Sequence, residues 1–389
     1  MTSLSAGEQV TVPAVLMRGG TSKALFFLTD DLPDDEADRA ALLKRAMGTP
    51  HVMQIDGLGG GRGNTSKIAI VGRADRPGAD VTYTFAQVGI GEDSIDFRAT
   101  CGNISAAVGP FALLKGLVEP VEPVTRIAIY NSNINDILYQ DIPVKDGQAR
   151  TEGDFVNAGV PGKGAMIFTD FTNAVGRRTG SLLPTGHARD SLGLIAGGSI
   201  EATLVDAGNP VAYVDARALG LAGNESAATL SGDQELLSAV REIRRAAAEA
   251  MGLGGRFSVR VGLLSPPSAY ETPAAAVIRR EEMDLCARFF ALDYCAPSYP
   301  GSASVSTGAV TRVPGSVAED VLAGPVTSRT VRIGHPLGIM EVVSRSRPAP
   351  RAPWVVIEQL GFGRTARALM EGRVFIPQAD YPLALRGQL

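Results

Sequence analysis

Two stretches decide how this chain folds: Cys101-Gly-Asn-Ile-Ser-Ala-Ala-Val-Gly-Pro-Phe-Ala-Leu-Leu114 and Gly301-Ser-Ala-Ser-Val-Ser-Thr-Gly-Ala-Val310. Each opens on glycine beside a short polar residue and runs on through Ala, Val and Ser. A helix that is apolar on nearly every face belongs inside a sheet or barrel, not on a surface. The two lie about 200 residues apart, half the chain, which predicts an internal duplication with one buried helix per half. Each half is then a curved sheet wrapped on a central helix, with the two helix N-termini meeting at an interdomain cleft.

The 389 residues around them fit that reading. At roughly 100–200 residues per domain, the length predicts two or three domains with full cores. Gly and Pro, 45 and 24 of them, punctuate short β-branched and aromatic runs, which predicts a strand-rich fold. Strands are expected at 10–17, 24–28, 67–71, 81–88, 125–130, 137–144, 165–169, 200–206, 211–215, 258–264, 330–333, 339–344 and 354–360. Helices are expected at 35–47, 234–251, 281–293 and 365–371. Strands and helices do not alternate strictly, so the class is α+β and not a doubly wound parallel sheet. The expected domains are 1–184 and 185–389, the last strand or helix being free to pack back on the first domain.

Composition excludes several functions. With 45% hydrophobic and 20% charged residues the chain is globular, and no apolar run is long enough to span a bilayer. A net charge of -4, 6% aromatic residues and no basic stripe disfavour nucleic acid. His51, His187 and His335 show no metal-ligand spacing, so no metal is expected. The start, MTSLSAGEQV, lacks a basic then apolar leader, and three scattered cysteines make no disulfide framework. A cytoplasmic, reduced protein is expected.

Lysine occurs only at 23, 44, 67, 115, 145 and 163, against 37 basic residues in all. A Lys kept in a Gly-rich loop can remove a proton in a way Arg cannot. Lys67 ends such a segment, Gly59-Gly60-Gly61-Arg62-Gly63-Asn64-Thr65-Ser66-Lys67. The order is not that of a phosphate loop, and a strand follows where a helix should. Gly60, Thr65 and Ser66 let the backbone approach an anion, and a desolvated Lys67 can act as a base. The plainer alternative is a solvated Lys on a loop.

Cys101-Gly102-Asn103 follows a strand-like run at 95–98 and starts the first buried helix. A thiol there meets the positive end of the helix dipole and becomes a usable acid or base, the alternative being an inert buried Cys. Met17-Arg18-Gly19-Gly20-Thr21-Ser22-Lys23 repeats the Gly-Thr-Ser-Lys theme, and Arg18 can pair a carboxylate bidentately, though a plain turn also explains the run. Gly334-His335-Pro336-Leu337-Gly338 reads as a hairpin connection, with His335 a candidate substrate contact. Pro184-Thr185-Gly186-His187 reads as an interdomain turn or cleft wall. Cys286, mid-helix, and Cys295 read as core.

Leu16-Met-Arg-Gly-Gly-Thr-Ser-Lys23, Gln54-Ile-Asp-Gly-Leu-Gly-Gly60, Thr65-Ser-Lys67, Cys101-Gly-Asn103, Leu183-Pro-Thr-Gly186, Gly334-His-Pro336 and Arg364-Thr-Ala-Arg-Ala-Leu-Met-Glu-Gly372 together resemble the PrpF-type isomerases. These include 2-methylaconitate cis-trans isomerase, 4-oxalomesaconate tautomerase and methylitaconate delta-isomerase. The resemblance runs along essentially the whole chain. It implies a diaminopimelate-epimerase-like fold of two pseudo-symmetric domains, each a rolled mixed sheet around a central helix, working without metal or organic cofactor. It also implies Lys67 and Cys101 as the proton-transfer residues.

Two-base epimerases carry a second Cys at the start of the second central helix, where this chain has Tyr299-Pro300-Gly301-Ser302. Pro300 cannot exchange a proton, so a proton shift is favoured over racemisation. Arg62-Gly63-Asn64 also departs from the small or acidic residues of several relatives. The expected activity is an allylic proton shift, cis-trans isomerisation or tautomerisation of an unsaturated di- or tricarboxylate such as 4-oxalomesaconate, 2-methylaconitate, methylitaconate or aconitate. Arg18, Gly19, Thr21, Ser22, Gly60, Thr65, Ser66, Gly102, Asn103, Gly301, Ser302 and His335 are the expected substrate contacts. A non-catalytic tricarboxylate-binding accessory protein and a cofactor-independent epimerase are the alternatives, and solvent deuterium wash-in separates catalysis from mere binding. The partner is a small unsaturated carboxylate, with neither nucleic acid nor membrane, and the oligomeric state, homodimer or homotetramer, stays open.

Overall fold

A computed structural model describes residues 5–6, 8–97, 101–157, 159–195, 197–254, 259–290 and 293–377. The chain gathers into two compact units, Met1–Thr169 with Arg364–Leu389, and Asp170–Gly363. The boundary read from the sequence stood at 184/185.

In the first unit the elements run β1 (Gln9–Gly19), β2 (Ser22–Leu28), α1 (Glu36–Met47), β3 (Lys67–Arg73), β4 (Val81–Val88), α2 (Gly102–Ser105), α3 (Val108–Leu114), β5 (Val124–Asn131) and β6 (Asp136–Lys145). Helix α1 begins where Asp35 Oδ1 accepts the Asp38 N-H at 2.9 Å, a cap worth about 1 kcal/mol. It ends at Gly48, whose φ of 80° suits a residue without Cβ. Pairing goes antiparallel for β1 with β2, parallel for β2 with β3, antiparallel for β3 with β4, parallel for β4 with β5 and antiparallel for β5 with β6.

The alternation of side chains divides this sheet's surfaces. Val15, Met17, Ala24, Phe26, Ala69, Val71, Tyr83 and Phe85 form one core with Ile104, Val108 and Phe111 of α2 and α3. Leu25, Phe27, Ile68, Ile70, Ala86 and Val88 form another with Leu42, Leu43 and Met47 of α1. The expected first central helix is thus present as two short helices, α2 and α3, with Ala106 and Ala107 between them keeping right-handed helical angles. Close packing requires Gly109, since a Cβ there would stand 2.7 Å from Gln140 Oε1.

The second unit runs β7 (Ser199–Ala207), β8 (Asn209–Asp215), α4 (Gln234–Ala250), β9 (Arg260–Ser265), β10 (Leu285–Phe290), α5 (Gly301–Val310), β11 (Thr330–His335), β12 (Gly338–Pro348) and β13 (Val355–Arg364). From β7 to β12 the pairing is again antiparallel, parallel, antiparallel, parallel, antiparallel. The same order of turns, crossover helix and central helix occurs twice, which is the duplication the two buried runs predicted. Residues 303–310 of α5 are all buried. Its hydroxyls are satisfied internally or by the wall: Ser304 Oγ donates to Gly301 O at 2.7 Å, and Tyr213 OH meets Ser306 Oγ at 2.6 Å. The final strand β14 (Ala366–Pro377) returns to the first unit and pairs with β1 along its whole length.

Each expected strand overlaps an observed one, Arg98 and Ser258 lying outside the described residues. Two expected helices are corrected. Within 281–293 the chain makes one short turn, Arg280–Glu282, and then β10, whose every residue is buried between β9 and β11. A short, mostly apolar run is ambiguous by periodicity, and here sheet pairing decides it. Cys286 therefore lies on a strand and not in a helix. The 365–371 segment has helix-forming residues, yet β1 templates it as β14, tertiary pairing overriding propensity.

Candidate active site

Lys67 is the first residue of β3, directly opposite Ala24 of β2 and Gln87 of β4. Since Ala24 and Ala69 belong to the core around α2 and α3, register puts the Lys67 side chain on that same face. It is 9% exposed. Its Nζ donates to Gln87 Oε1 at 2.6 Å and stands 5.0 Å from the centre of the Phe85 ring. Gln87 is fixed in turn, its Nε2 donating to Ser66 O at 2.9 Å and Gly63 O at 3.2 Å. Among the described residues no carboxylate pairs with Lys67, so its neighbours are an amide and an aromatic ring.

The loop that delivers Lys67 is built on Gln54, a buried side chain on a residue with φ of 50°. Its Oε1 accepts from Ser66 Oγ at 2.6 Å and Gly61 N at 2.9 Å. Side chains at Gly59 or Gly60 would run into Gln54 and Thr65. The expected contacts Gly60, Thr65 and Ser66 thus lie together, and Ser66 is a buried structural donor.

Cys101, half-buried and packed on the α2–α3 core, is the N-cap residue of α2. Two neighbours stand out electrostatically. Burial pushes the Tyr83 phenol well above its ordinary range, with the Cys101 charge adding to it. The Tyr83 hydroxyl lies near Ser105, whose Oγ donates to Cys101 O at 2.9 Å. Burial pushes the Arg364 guanidinium down to about 10, and Cys101 opposes that shift, so Arg364 remains a cation at neutral pH beside the thiol. Tyr83, Phe85 and Gln87 share one face of β4, so Cys101 and Lys67 address the same surface of the sheet.

Asn103 joins this group to the β1–β2 turn. Its Nδ2 donates to Thr21 Oγ1 at 3.1 Å, and its Oδ1 accepts from Arg364 Nε at 3.2 Å. Gly19 and Gly20 lie so close to Asn103 that neither leaves room for a side chain. Gly19, Thr21, Gly102 and Asn103 are therefore brought together as expected.

Arg18 is not. It pairs with Lys23, one step from the Met17 and Ala24 pair, so its side chain leaves the sheet on the face opposite Lys67. Its Nη1 donates to Gly20 O at 3.0 Å and Thr365 O at 2.8 Å. Buried Ser22 lies in the same hairpin, opposite Gly19.

In the second unit, Pro300 is the N-cap residue of α5 and Gly301 packs on Phe362, a Cβ there coming within 2.6 Å of that ring. Ser302 follows in the first turn. His335 closes β11, its Nδ1 accepting from Leu337 N at 3.3 Å across the two-residue turn, and its ring lies 5.8 Å from that of Tyr299. Thr185 and His187 both turn to Asp190 within this unit. Gln54, Gln87, Tyr83 and Arg364 were not singled out from sequence for a role. Only the cross-strand register could have flagged Gln87, two strands being needed to see it.

Among the described residues no group of three or more His, Cys, Asp and Glu could hold a metal. No helix there is long and apolar enough to cross a membrane.

A sequence model described as PrpF protein matches residues 9–377, nearly the whole described chain. The chain belongs to the PrpF family. It is 37% identical over 382 residues to 3-methylitaconate isomerase of Eubacterium barkeri, covering 96% of this chain and 99% of that one. It is 35% identical over 370 residues to (4E)-oxalomesaconate Delta-isomerase of Novosphingobium sp. (strain KA1), covering 94% and 98%. A crystal structure of methylitaconate-delta-isomerase superposes with a TM-score of 0.84 at 36% identity, covering 97% and 98%. A hydroxyproline epimerase from Agrobacterium vitis shares the fold alone, at TM-score 0.51, 14% identity and coverage of 96% and 94%. The PrpF-family chain is thus an isomerase with the epimerase-like α+β fold of two duplicated halves.

Proposed function

We propose that this PrpF-family isomerase moves a proton on an unsaturated di- or tricarboxylate, with Lys67 and Cys101 as the transfer pair. The observation that carries this reading is the placement of Lys67. It is a nearly buried amine, held by an amide oxygen and a ring with no carboxylate paired to it among the described residues, on the sheet face that Cys101 also meets. No ion pair with a carboxylate has to be broken before Lys67 Nζ meets a C–H proton of the substrate.

Lys67 Nζ takes a proton from the carbon next to the double bond. The electron pair spreads through the double bond onto the adjoining carboxylate or keto group as a dienolate. The Cys101 thiol then gives its proton to the far carbon, or to the same carbon after rotation about the loosened bond. The first outcome shifts the double bond and the second exchanges cis for trans. The thiolate left behind is stabilised by the Arg364 guanidinium. Return of the Lys67 proton to Cys101, directly or through water, resets the pair. Asn103, fixed by Thr21 and Arg364, presents its side chain and the Cys-Gly-Asn backbone to the substrate. The names of the relatives support an acid in the range from methylitaconate to oxalomesaconate.

The test is an ultraviolet screen against methylitaconate, 2-methylaconitate, 4-oxalomesaconate and aconitate, because each isomerisation changes conjugation. On the acid that turns over, Lys67→Ala should lose on the order of 10² to 10⁴ in rate. Near-normal turnover by that variant refutes the assignment. Wild-type protein that binds an acid but washes no solvent deuterium into it refutes catalysis.

A further inference from the structure

Three cations stand in a row across the first unit's sheet. Register places Arg18 of β1 directly opposite Lys23 of β2 on one side and Arg367 of β14 on the other. Residues so paired have Cβ atoms about 4.5–5.5 Å apart, and like charges there destabilise the sheet. The crowding is felt: burial, and then the charge of Arg367, lower the Arg18 guanidinium. Two other lysines of this unit do have carboxylate partners, Lys115 with Glu371 at 2.6 Å and Lys44 with Asp93 at 2.7 Å.

Among the described residues no carboxylate meets Arg18, Lys23 or Arg367. Arg18 uses Nη1 on two backbone carbonyls, which leaves its Nε and Nη2 hydrogens without a protein acceptor. Arg18 and Lys23 are only half exposed, so water does not fully screen them. Together they line a pocket of about 210 Å3 whose wall also includes Thr21, Ser22, Thr65 and Leu369, with no acidic residue in it. Neither Lys67 nor Cys101 lines this pocket.

We propose that the pocket is an anion site separate from the reacting face, taking a compact multivalent anion, a small polycarboxylate or a phosphate. The fork of Arg18 receives two oxygens of one anionic group, Lys23 on the pocket wall meets the remaining charge, and Arg367, outside the lining but directly opposite Arg18 on β14, adds its charge from the neighbouring strand. An anion there replaces the repulsion along the row by attraction. The proposal does not depend on which acid the isomerase converts.

The experiment uses the full chain at about 10 mM ionic strength, where such charges are least screened. Wild type, Lys23→Gln and the Lys23→Gln/Arg367→Gln double variant are melted with no added anion, then titrated calorimetrically with citrate and, in a parallel arm, inorganic phosphate. Three results are expected. The variants melt above wild type when no anion is present, since a like charge has been removed. Citrate raises the wild-type melting temperature and the double variant's far less. The double variant's citrate affinity at this site falls at least tenfold while turnover on a confirmed substrate stays within twofold. A phosphate response equal to that of citrate assigns the site to any compact multivalent anion, and a response to citrate alone assigns it to polycarboxylates. Identical isotherms in wild type and double variant overturn the proposal, as does a loss of turnover in step with the loss of binding.

Discussion

Alanine at Gly20 should break the link between the β1–β2 turn and the Cys-Gly-Asn run. Gly20 has a φ of 50°, in the left-handed region, where alanine costs about 1–2 kcal/mol more than glycine. The added methyl would overlap Asn103 Oδ1 and lie 2.8 Å from its Cγ, so the amide must swing away. That breaks the bond from Nδ2 to Thr21 Oγ1 at 3.1 Å and the bond from Arg364 Nε to Oδ1 at 3.2 Å. The neutral bond nets about 0.5–1.5 kcal/mol and the charged one about 1.5–3 kcal/mol, giving a total loss of about 3–6 kcal/mol.

An Asn103→Ala background separates strain from coupling. With that amide gone, both bonds are already lost, and the nearest remaining atom to the new methyl is the residue-103 Cβ at 3.1 Å. Gly20→Ala should then cost only the backbone strain, about 1–2 kcal/mol, so the two sites couple by about 2 kcal/mol or more. Urea unfolding of the four proteins measures it, with hydrogen exchange at residues 15–28 assigning the transition to the first unit, because a chain of two units need not unfold in one step. Equal losses in the two backgrounds would show that Asn103 does not brace the turn. Gly20→Ala should also lower turnover at least as much as Asn103→Ala does, since it displaces the same side chain.

Other consequences can be checked with single variants or reagents. Tyr213→Phe removes a hydroxyl that meets Ser306 Oγ at 2.6 Å and Thr307 Oγ1 at 2.9 Å inside the second unit; it should cost about 1–3 kcal/mol, seen as a lower melting temperature with turnover per folded molecule retained. Burial pushes the Cys295 thiol up to about 11 and raises Cys286 as well, while Cys101 is half exposed. At pH 8, iodoacetamide should therefore modify Cys101 first, with inactivation in parallel and the other two reacting only on unfolding; peptide mass spectrometry reads the order, and prior labelling of Cys286 would contradict it. Gly308→Val should destabilise by about 1–3 kcal/mol, because even a Cβ there would stand 2.7 Å from Val342 Cγ1 in a wall that is already close-packed.

Sequence carried the architecture wherever the signal was local. Asp35 and Gly48 bracket α1 because caps act on the adjacent turn, and the small-residue content of 301–310 marks α5 because only such a helix packs on every side. It misled at 281–293 and 365–371, where the deciding contacts come from strands tens or hundreds of residues away. Leu285–Phe290 becomes a strand because β9 and β11 flank it, and Ala366–Pro377 because β1 waits for a partner. The site divides in the same manner. Lys67 and Cys101 stand out in sequence by rarity and by the glycines beside them. Gln87, Tyr83 and Arg364 do not, because their importance is a matter of register. Arg18 is the sharpest case: its residue type suggests a carboxylate partner, but which face of the sheet it serves is set by a one-residue alternation that only the pairing with Lys23 reveals.

The duplication then bears on the proposed Lys67–Cys101 pair. Lys67 opens β3 opposite the third residue of β2, and its counterpart, Arg260, opens β9 opposite the third residue of β8. Cys101 caps α2, and its counterpart, Pro300, caps α5. Arginine does not surrender its proton in the working range of an enzyme and proline has none to give, so both positions proposed for proton transfer in the first half are silent in the second. Burial and the Arg244 charge do lower Arg260, but a guanidinium starts far above any useful base. A two-base racemase needs an acid and a base supplied from opposite faces of one carbon. A chain that keeps both groups in one half, on one sheet face, can take a proton and return it to a neighbouring carbon of the same face. With Lys67 and Cys101 as the proposed pair, that asymmetry favours isomerisation by proton shift over racemisation, because Arg260 and Pro300 supply no second pair from the other half.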